Sequence, residues 1–384
     1  SPKTSDEIDT YLEKNCFTNL LYKLFSILWE GEFDNVSPIT LRNCIKNNMS
    51  FFDNSQQHDA QEFFSSLIDK IDTELSYSKK ELTFTNFKYE NMYYAYEKLN
   101  PTQQQLFYNN VVEGDQKEKF KGLVTYLKYN KTYSNINELF QFMICSTVKC
   151  SKCETCTTSY EPYLFLQLEI PKLKSTSNPI SNQFNSYSHH NFHQFYNATP
   201  ENDSDNSDSS DDSEKEESDD KKEESDDDDD DITLKRCFYK YFKREKLTDD
   251  NQYFCNKCDE LVDARKTFKI TKHPNVLIIH FKRFTFETNQ YNQITIDKNT
   301  DEIQFPVNLD INKYIDIDGV NVKYKLRSVI NHEGTDMKYG HYTTYSFNDQ
   351  TNKWYYFNDT NVTEEDDLDT IVDSDAYMLF YELV

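Results

Sequence analysis

Four cysteines stand in two pairs that share one spacing. Cys150-Ser-Lys-Cys153 and Cys255-Asn-Lys-Cys258 each separate two thiols by two residues. A tight turn with this spacing presents both sulfur atoms to one tetrahedral zinc ion, and two such turns complete a closed shell of four thiolates. The metal of a closed shell is structural, because no coordination position remains open to a substrate. Chance spacing of unrelated thiols is the alternative interpretation, and Cys156 is a further candidate ligand.

A histidine followed by an amide and a carboxylate forms the second candidate site. His341 comes directly after Gly340 and begins a predicted strand, and Asn358 and Asp359 end the aromatic run 354–357. An imidazole titrates near neutral pH and is therefore the commonest general base. If the two strands are neighbours, Asn358 or Asp359 can orient the ring through its second nitrogen, as in cysteine hydrolases. A lone histidine at a strand start is more often structural, so the interpretation depends on this pairing.

The elements that position these residues change type along the chain. Helical periodicity from Leu20 to Leu28 predicts a helix ending near Gly31, and Ser37-Pro38 predicts the N-cap and first turn of a second helix. A third helix is predicted from Asp59, and residues 78–135 are predicted to form helix and loop. Strands are predicted at 163–170, 275–281, 322–330, 341–346, 353–357 and 376–383. This order predicts an α+β fold, with a helical lobe against a largely antiparallel lobe and a cleft between them.

Charge and composition exclude several classes of protein. The 384 residues include 67 acidic and 42 basic side chains, for a formal charge of −25. Residues 201–231 hold 19 acidic and 3 basic residues, so the remainder is only mildly acidic. The acidity argues against a nucleic-acid binder, such as a zinc ribbon, and no apolar run is long enough to span a membrane. Only six glycines are present, and none forms a phosphate-binding loop, so no organic cofactor is predicted.

One segment divides the chain into three parts. Residues 172–231 form a Ser/Asn/His-rich and acidic tract with too few apolar residues to fold, and we predict a disordered insertion. Residues 1–171 then hold the helical lobe and the first cysteine pair, and residues 232–384 hold the second pair and the β-rich lobe. Nine cysteines, four of them in metal-type pairs, favour a reducing compartment, cytoplasm or nucleus. A start at Ser1 rather than Met predicts that the chain derives from a longer protein.

Seven segments match, in the same order, the motifs of one enzyme family. They are Gln57–Phe63, Ser146–Cys153, Cys255–Cys258, Pro274–Phe284, Asn331–Gly334, Gly340–Tyr342 and Trp354–Asp359. The sequence therefore resembles the ubiquitin-specific proteases, a family of cysteine deubiquitinases. The resemblance implies a papain-like α+β fold with a helical thumb, a β-rich palm and zinc-binding β fingers.

The resemblance also implies a reaction and its partners. The reaction is hydrolysis of the bond after the C-terminal glycine of ubiquitin, with ubiquitin and ubiquitinated proteins as partners. His341 is the implied base and Asn358, or alternatively Asp359, its orienting residue. The same motifs imply that four residues line the cleft or bind the ubiquitin tail: Asp59, Gln61, Gly340 and Tyr342. Linkage preference and oligomeric state have no signature in the sequence.

The nucleophile box of the family, Gly-Asn-Thr-Cys-Tyr-x-Asn, has only a partial match. The segment Lys14-Asn-Cys16-Phe-Thr-Asn19 lacks the glycine and lies close to the glutamine-rich helix motif at Gln57. Cys16 is therefore one candidate nucleophile, and a cysteine upstream of Ser1 is the favoured alternative. Two hypotheses follow: an active deubiquitinase, which the intact His341 motif favours, or a ubiquitin-binding scaffold without chemistry, which the incomplete box favours.

Overall fold

The computed structural model describes residues 17–31, 36–52, 57–78, 90–110, 112, 117, 120–124, 132–172, 231–288, 294–317, 319–334, 339–371 and 375–384. The described residues within 1–171 and 232–384 belong to one compact unit, and every helix and strand given below lies in it. The predicted disorder of the acidic insertion concerns residues outside the described ranges and remains a prediction. In the described part of the chain, no helix is both long enough and apolar enough to cross a membrane.

Helices dominate the N-terminal half, as their periodicity predicts. In chain order they are α1 (Phe17–Glu30), α2 (Ile39–Asn48), α3 (Ala60–Leu75), α4 (Glu90–Glu97), α5 (Pro101–Asn110), α6 (Asn135–Phe140), α7 (Leu234–Phe242) and α8 (Leu368–Ile371). α1 ends before Gly31, whose φ of +67° is a left-handed conformation that glycine adopts at no steric cost. Pro38, and not Ser37, occupies the N-cap position of α2, and it provides no capping side chain.

Sixteen of the eighteen strands in the described part of the chain lie after residue 140. They are β1 (Tyr77–Ser78), β2 (Thr132–Tyr133), β3 (Phe142–Cys150), β4 (Cys156–Tyr163), β5 (Leu166–Leu168), β6 (Glu245–Leu247), β7 (Tyr253–Cys255), β8 (Glu260–Val262), β9 (Ala264–Lys272), β10 (Val276–Phe281), β11 (Phe284–Thr288), β12 (Ile294–Lys298), β13 (Asn308–Asp310), β14 (Lys323–Glu333), β15 (His341–Asn348), β16 (Lys353–Asn358), β17 (Asn361–Glu365) and β18 (Ala376–Leu383). The predicted strand at 163–170 is divided between the end of β4 and the short β5.

The largest sheet holds the histidine strand near one edge. Its order is β17-β16-β15-β14-β18-β10-β5, with β13 paired to β14. All pairs are antiparallel except β5 with β10. One face of the sheet covers the main apolar core, which includes Leu277, Ile279, Leu326, Val329 and Tyr381. The strands β10 and β18 are buried in this sheet, and β14, β15 and β16 follow them in order toward the edge that holds the site.

A second, four-stranded sheet carries the first cysteine pair, and a separate hairpin carries the second. The order of the sheet is β4-β3-β9-β6, and the hairpin is β7-β8. Cys150 ends β3 and Cys255 ends β7, so both pairs begin where a strand turns. A small cluster of Cys150, Cys255 and Val262 packs around the turns. The fold is therefore α+β with a helical region, a large sheet and an extended β region, as predicted.

Candidate active site

His341 and Asn358 meet at one end of two paired strands. His341 begins β15 and Asn358 ends β16, and the antiparallel register pairs Thr344 with Phe357. The Nε2 atom of His341 lies 2.8 Å from Oδ1 of Asn358. Because an amide oxygen only accepts hydrogen bonds, Nε2 carries the proton, and the Nδ1 lone pair is left to act as a base. The Asn358 amide group in turn donates to the Tyr356 hydroxyl at 3.5 Å.

Asp359 has a different position from Asn358. It is exposed and lies in the turn after β16, at a φ of +50°. Among the hydrogen bonds of the described residues, the His341 ring donates its one to Asn358 Oδ1. Asp359 instead lines the cleft beside the ring. Asn358, and not Asp359, is therefore the residue in contact with the imidazole.

A cleft of about 300 Å³ opens beside the imidazole. The described residues that line it are Gln57, His58, His332, Gly340, His341, Tyr342 and Asp359. The cleft lies between the segment before α3 and the hairpin of β14 and β15, and these two segments are far apart in the sequence. Gln57 and His58 belong to the recognised motif but have no role in the sequence-based interpretation. None of the described lining residues is a cysteine, and Cys16 lies outside the described residues.

Gln57 and Tyr342 tie the two sides of the cleft together. The Gln57 side-chain oxygen accepts a hydrogen bond from the Gly340 backbone N–H at 2.8 Å. The Tyr342 hydroxyl accepts one from the Ala60 backbone N–H at 3.2 Å, at the first turn of α3. Burial raises the pKa of that hydroxyl, so it remains protonated at neutral pH. The residues before and after His341 are thus both fixed to the start of α3.

Asp59 caps α3, and both of its carboxylate oxygens are engaged. One accepts the Glu62 backbone N–H at 2.9 Å, in the manner of an N-cap, and the other accepts the Tyr377 hydroxyl. The residue is only 8% exposed. Gln61 is half-buried in the first turn of α3 and is not among the residues that line the cleft. Asp59 is also not among the lining residues, and its two hydrogen bonds instead join the start of α3 to β18. The predicted contact of Asp59 and Gln61 with the ubiquitin tail remains a prediction.

Gly340 is held against the buried His332 ring. The register of β14 and β15 pairs His332 with Tyr342 and Glu333 with His341. A Cβ atom on Gly340 would overlap the His332 imidazole, so only glycine fits without a shift of the ring. Burial lowers the pKa of His332, and the nearby positive charge of Lys298 lowers it further. His332 is therefore neutral at pH 7, and it lines the cleft while packing against Gly340.

The four paired cysteines converge on one point. The sulfur atoms of Cys150, Cys153, Cys255 and Cys258 all lie within 4.8 Å of one another. The Cys150 and Cys258 sulfurs are 3.9 Å apart, and the Cys153 and Cys255 sulfurs are 3.6 Å apart. A tetrahedral zinc ion with Zn–S bonds near 2.3 Å requires about 3.8 Å between sulfurs, so the site fits such an ion. Cys156 begins β4 and is not part of this group.

The two cysteine turns share one backbone geometry. The residue after each pair donates its backbone N–H to the carbonyl of the first cysteine: Glu154 to Cys150 at 3.0 Å, and Asp259 to Cys255 at 2.8 Å. Both residues have a positive φ, +56° for Glu154 and +58° for Asp259. The two turns are therefore equivalent in backbone geometry, as their shared spacing predicts.

The chain as a whole matches one protein family. Residues 1–381 match the family model described as ubiquitin carboxyl-terminal hydrolase. The chain belongs to this family. The resemblance seen in the sequence motifs is therefore confirmed, and deubiquitination by a cysteine-protease type of enzyme is the function that the family indicates.

Individual relatives agree with the family match. A protein of Acanthamoeba polyphaga mimivirus named "Probable ubiquitin carboxyl-terminal hydrolase" is 28% identical over 404 residues, which cover 98% of this chain and 72% of the relative. Ubiquitin carboxyl-terminal hydrolase 2 of Homo sapiens is 27% identical over 364 residues, which cover 94% of this chain and 46% of the relative.

Solved structures share the fold. The SAGA DUB module containing Ubp8 bound to monoubiquitin matches with a TM-score of 0.53 at 20% identity, covering 90% of this chain and 53% of that one. A yeast SAGA DUB module matches with a TM-score of 0.55 at 21% identity, covering 96% and 58%. The chain thus spans little more than half of these structures. The α+β fold class is confirmed.

Proposed function

We propose that this chain carries the base and the orienting residue of a ubiquitin hydrolase that cleaves the peptide or isopeptide bond after the C-terminal glycine of ubiquitin. The observation that carries the proposal is the 2.8 Å hydrogen bond between His341 Nε2 and Asn358 Oδ1 at the edge of the cleft. Nδ1 of His341 takes the proton of a cysteine thiol, and the thiolate attacks the glycine carbonyl. The imidazolium then donates the proton to the leaving amine, and water hydrolyses the acyl-enzyme with His341 again as base.

The nucleophile of this reaction is a cysteine outside the described residues. Cys16 is one candidate, and a cysteine upstream of Ser1 in a longer protein is the other. The test is reaction of this polypeptide with ubiquitin that carries a thiol-reactive electrophile at its C-terminus. A covalent adduct that is lost in both Cys16→Ser and His341→Ala would identify Cys16 as the nucleophile. An adduct that forms only when the upstream sequence is restored would identify the upstream cysteine.

A ubiquitin-binding scaffold without chemistry is the second candidate function. The observation that favours it is the absence of a cysteine among the described residues that line the cleft. Partners in this case are the same, ubiquitin and ubiquitinated proteins, and the similar SAGA module is bound to monoubiquitin. Retained ubiquitin binding without any adduct, with and without the upstream sequence, would favour the scaffold. Loss of binding in Asp59→Ala would support its predicted place beside the ubiquitin tail, and unchanged binding and turnover would contradict it.

We also propose that the four paired cysteines hold one structural zinc ion. The donor set is four thiolates, which leaves no open position, and the sulfur separations of 3.6 and 3.9 Å support a tetrahedral ion. The ion would join β3 to the β7-β8 hairpin. The two cysteine pairs that hold it are about a hundred residues apart in the sequence. Measurement of zinc per chain should give one ion, and Cys258→Ser should lower it while Cys156→Ser should not. Deletion of residues 198–231 should leave the zinc content intact.

The same chemistry supports a proposed cellular location. Zinc-bound thiolates and a catalytic thiol are best preserved in a reducing compartment, so we propose that the protein acts in the cytoplasm or nucleus. Fluorescence microscopy of the tagged full-length protein tests this location, and a secreted protein would contradict it.

A further inference from the structure

Lys298 is a buried cation beside the hairpin that carries His341. It ends β12, and its side chain is only 1% exposed. Its ammonium group donates hydrogen bonds to the carbonyls of His332 at 2.6 Å and Gly334 at 2.7 Å, and to Asp375 Oδ1 at 3.0 Å. An ammonium group has three donors, so each of them is satisfied. A buried charge is tolerated when all of its hydrogen bonds are made. Removal of the charge, or of its partners, leaves buried polar groups without hydrogen bonds and destabilises the surrounding structure.

The two carbonyls bound by Lys298 lie on either side of Glu333. Glu333 is the last residue of β14, and it pairs with His341, the first residue of β15. Lys298 therefore holds the backbone directly across from the proposed base. The Asp375 carboxylate, in the segment just before β18, is the third acceptor. The end of β12, the end of β14 and this segment therefore meet at the Lys298 ammonium group.

The strands are close together at this point. Gly334 has a φ of +120°, and a Cβ atom there would lie 3.0 Å from the Tyr339 carbonyl oxygen and 3.1 Å from the Gly340 Cα. Gly340 in turn packs on the His332 ring. A small displacement of the carbonyls at His332 and Gly334 would therefore move Gly340 and the ring of His341 with it, because the interior has little free space.

We propose that Lys298 is a positioning residue for His341: its ammonium group fixes the backbone on both sides of Glu333 and thereby holds the imidazole against Asn358. This inference rests on the proposed function of His341 as the base. Lys298 itself is not among the residues that line the cleft.

The chain contains a matched control for this proposal. Lys272 is also buried, at 4% exposure, and its ammonium group donates to two backbone carbonyls, those of Asn137 at 3.1 Å and Gln141 at 3.0 Å. These carbonyls belong to the C-terminal end of α6 and not to the hairpin of His341. Lys272→Met and Lys298→Met remove the same chemical group from equally buried surroundings. A general loss of stability should appear in both variants. Displacement of the His341 ring should appear only in Lys298→Met.

The test is nuclear magnetic resonance of the polypeptide with its histidine rings labelled with ¹⁵N. The chain has 8 histidines, and His341→Gln assigns the signals of the proposed base. In the unmodified chain the two ring nitrogens should give one donor-type and one acceptor-type signal, as expected for a single tautomer with the proton on Nε2. In Lys298→Met the two signals should move toward each other as the tautomers mix. Amide exchange of residues 339–346 should become at least about tenfold faster.

The outcomes decide the proposal in each case. Unchanged His341 signals in a folded Lys298→Met, or the same change in Lys272→Met, would overturn it. If Lys298→Met does not fold, Asp375→Ala replaces it, because this residue supplies one of the three bonds from a side chain that is 30% exposed. A smaller shift in the same direction then supports the proposal, and no shift overturns it. None of these measurements requires turnover. Failure of the adduct experiment would refute the proposed function, and the NMR measurements would still decide whether Lys298 positions His341.

Discussion

Acid should destabilise this protein through His280, a buried histidine of β10. The residue is 8% exposed, and neither ring nitrogen has a hydrogen-bond partner among the described residues. Its ring packs edge-to-face on Tyr377, with 4.7 Å between the ring centroids. Burial lowers the pKa of His280 to about 4, although the Asp59 carboxylate acts in the opposite direction. The protonated ring is therefore poorly tolerated in the folded state.

The size and sign of the effect follow from the two pKa values. The unfolded chain protonates His280 near pH 6.5 and the folded chain near pH 4, so the unfolded state binds more protons between these values. The stability from His280 is fully present above pH 6.5 and is lost as the pH falls through 4. At 1.36 kcal/mol per pKa unit, the loss between pH 7.5 and pH 4.5 is about 2.5 kcal/mol.

The assay is urea unfolding of the unmodified chain and of His280→Phe across this pH range. Phenylalanine retains the contact with Tyr377 but cannot be protonated. The unmodified chain should lose about 2.5 kcal/mol more unfolding free energy than the variant on acidification. The other buried histidines are present in both proteins and cancel in the difference. Parallel stability curves for the two proteins would refute the reasoning, because His280 would then have the same pKa folded and unfolded.

The remaining predictions concern the site and the metal-binding turns. Asn358→Ala should reduce adduct formation with the ubiquitin electrophile about tenfold or more. Asp359→Ala should reduce it much less, and equal effects of the two substitutions would contradict the choice of Asn358 as the orienting residue. Gly340→Ala should lower the unfolding free energy by about 1–3 kcal/mol, because the new methyl group overlaps the His332 ring, and an unchanged melting temperature would argue against this packing. Glu154→Gly should raise the unfolding free energy by about 1 kcal/mol, since glycine relieves the positive φ; calorimetry that shows destabilisation would indicate that the Glu154 side chain is required.

The cysteine pairs and the catalytic strands illustrate how much the sequence could predict. Each Cys-x-x-Cys turn is encoded within a few residues, so its spacing alone predicted a shared metal site, and the structure brings the four sulfurs within 4.8 Å. The strands of His341 and Asn358 were predicted from aromatic and β-branched residues, and they are neighbours as required. The family motif favoured Asn358, but the local pattern alone left Asn358 and Asp359 both open, because two adjacent residues at a strand end are separated only by the direction in which the backbone turns.

Asp59 and Lys298 show what local patterns do not contain. The sequence predicted that Asp59 begins α3, since an N-cap bond forms within three residues. Its bond to Tyr377 joins residues more than 300 positions apart, and no pattern in the chain indicates it. Lys298 lies in an ordinary strand and gives no signal at all, yet its three acceptors belong to β14, the loop after it and the segment before β18.

The sequence by itself indicated that helices precede most strands, the family, the two cysteine turns and the identity of the candidate base, because hydrophobic periodicity, capping and short motifs act over a few residues. Only the tertiary structure decided that the Asn358 amide, rather than the Asp359 carboxylate, contacts the His341 ring. It also decided that Gly340 lies against His332 and that the buried Lys298 binds the carbonyls at the end of β14. These contacts depend on the register between strands and on packing between distant segments, and both are set when the sheet assembles rather than by any local stretch of the chain.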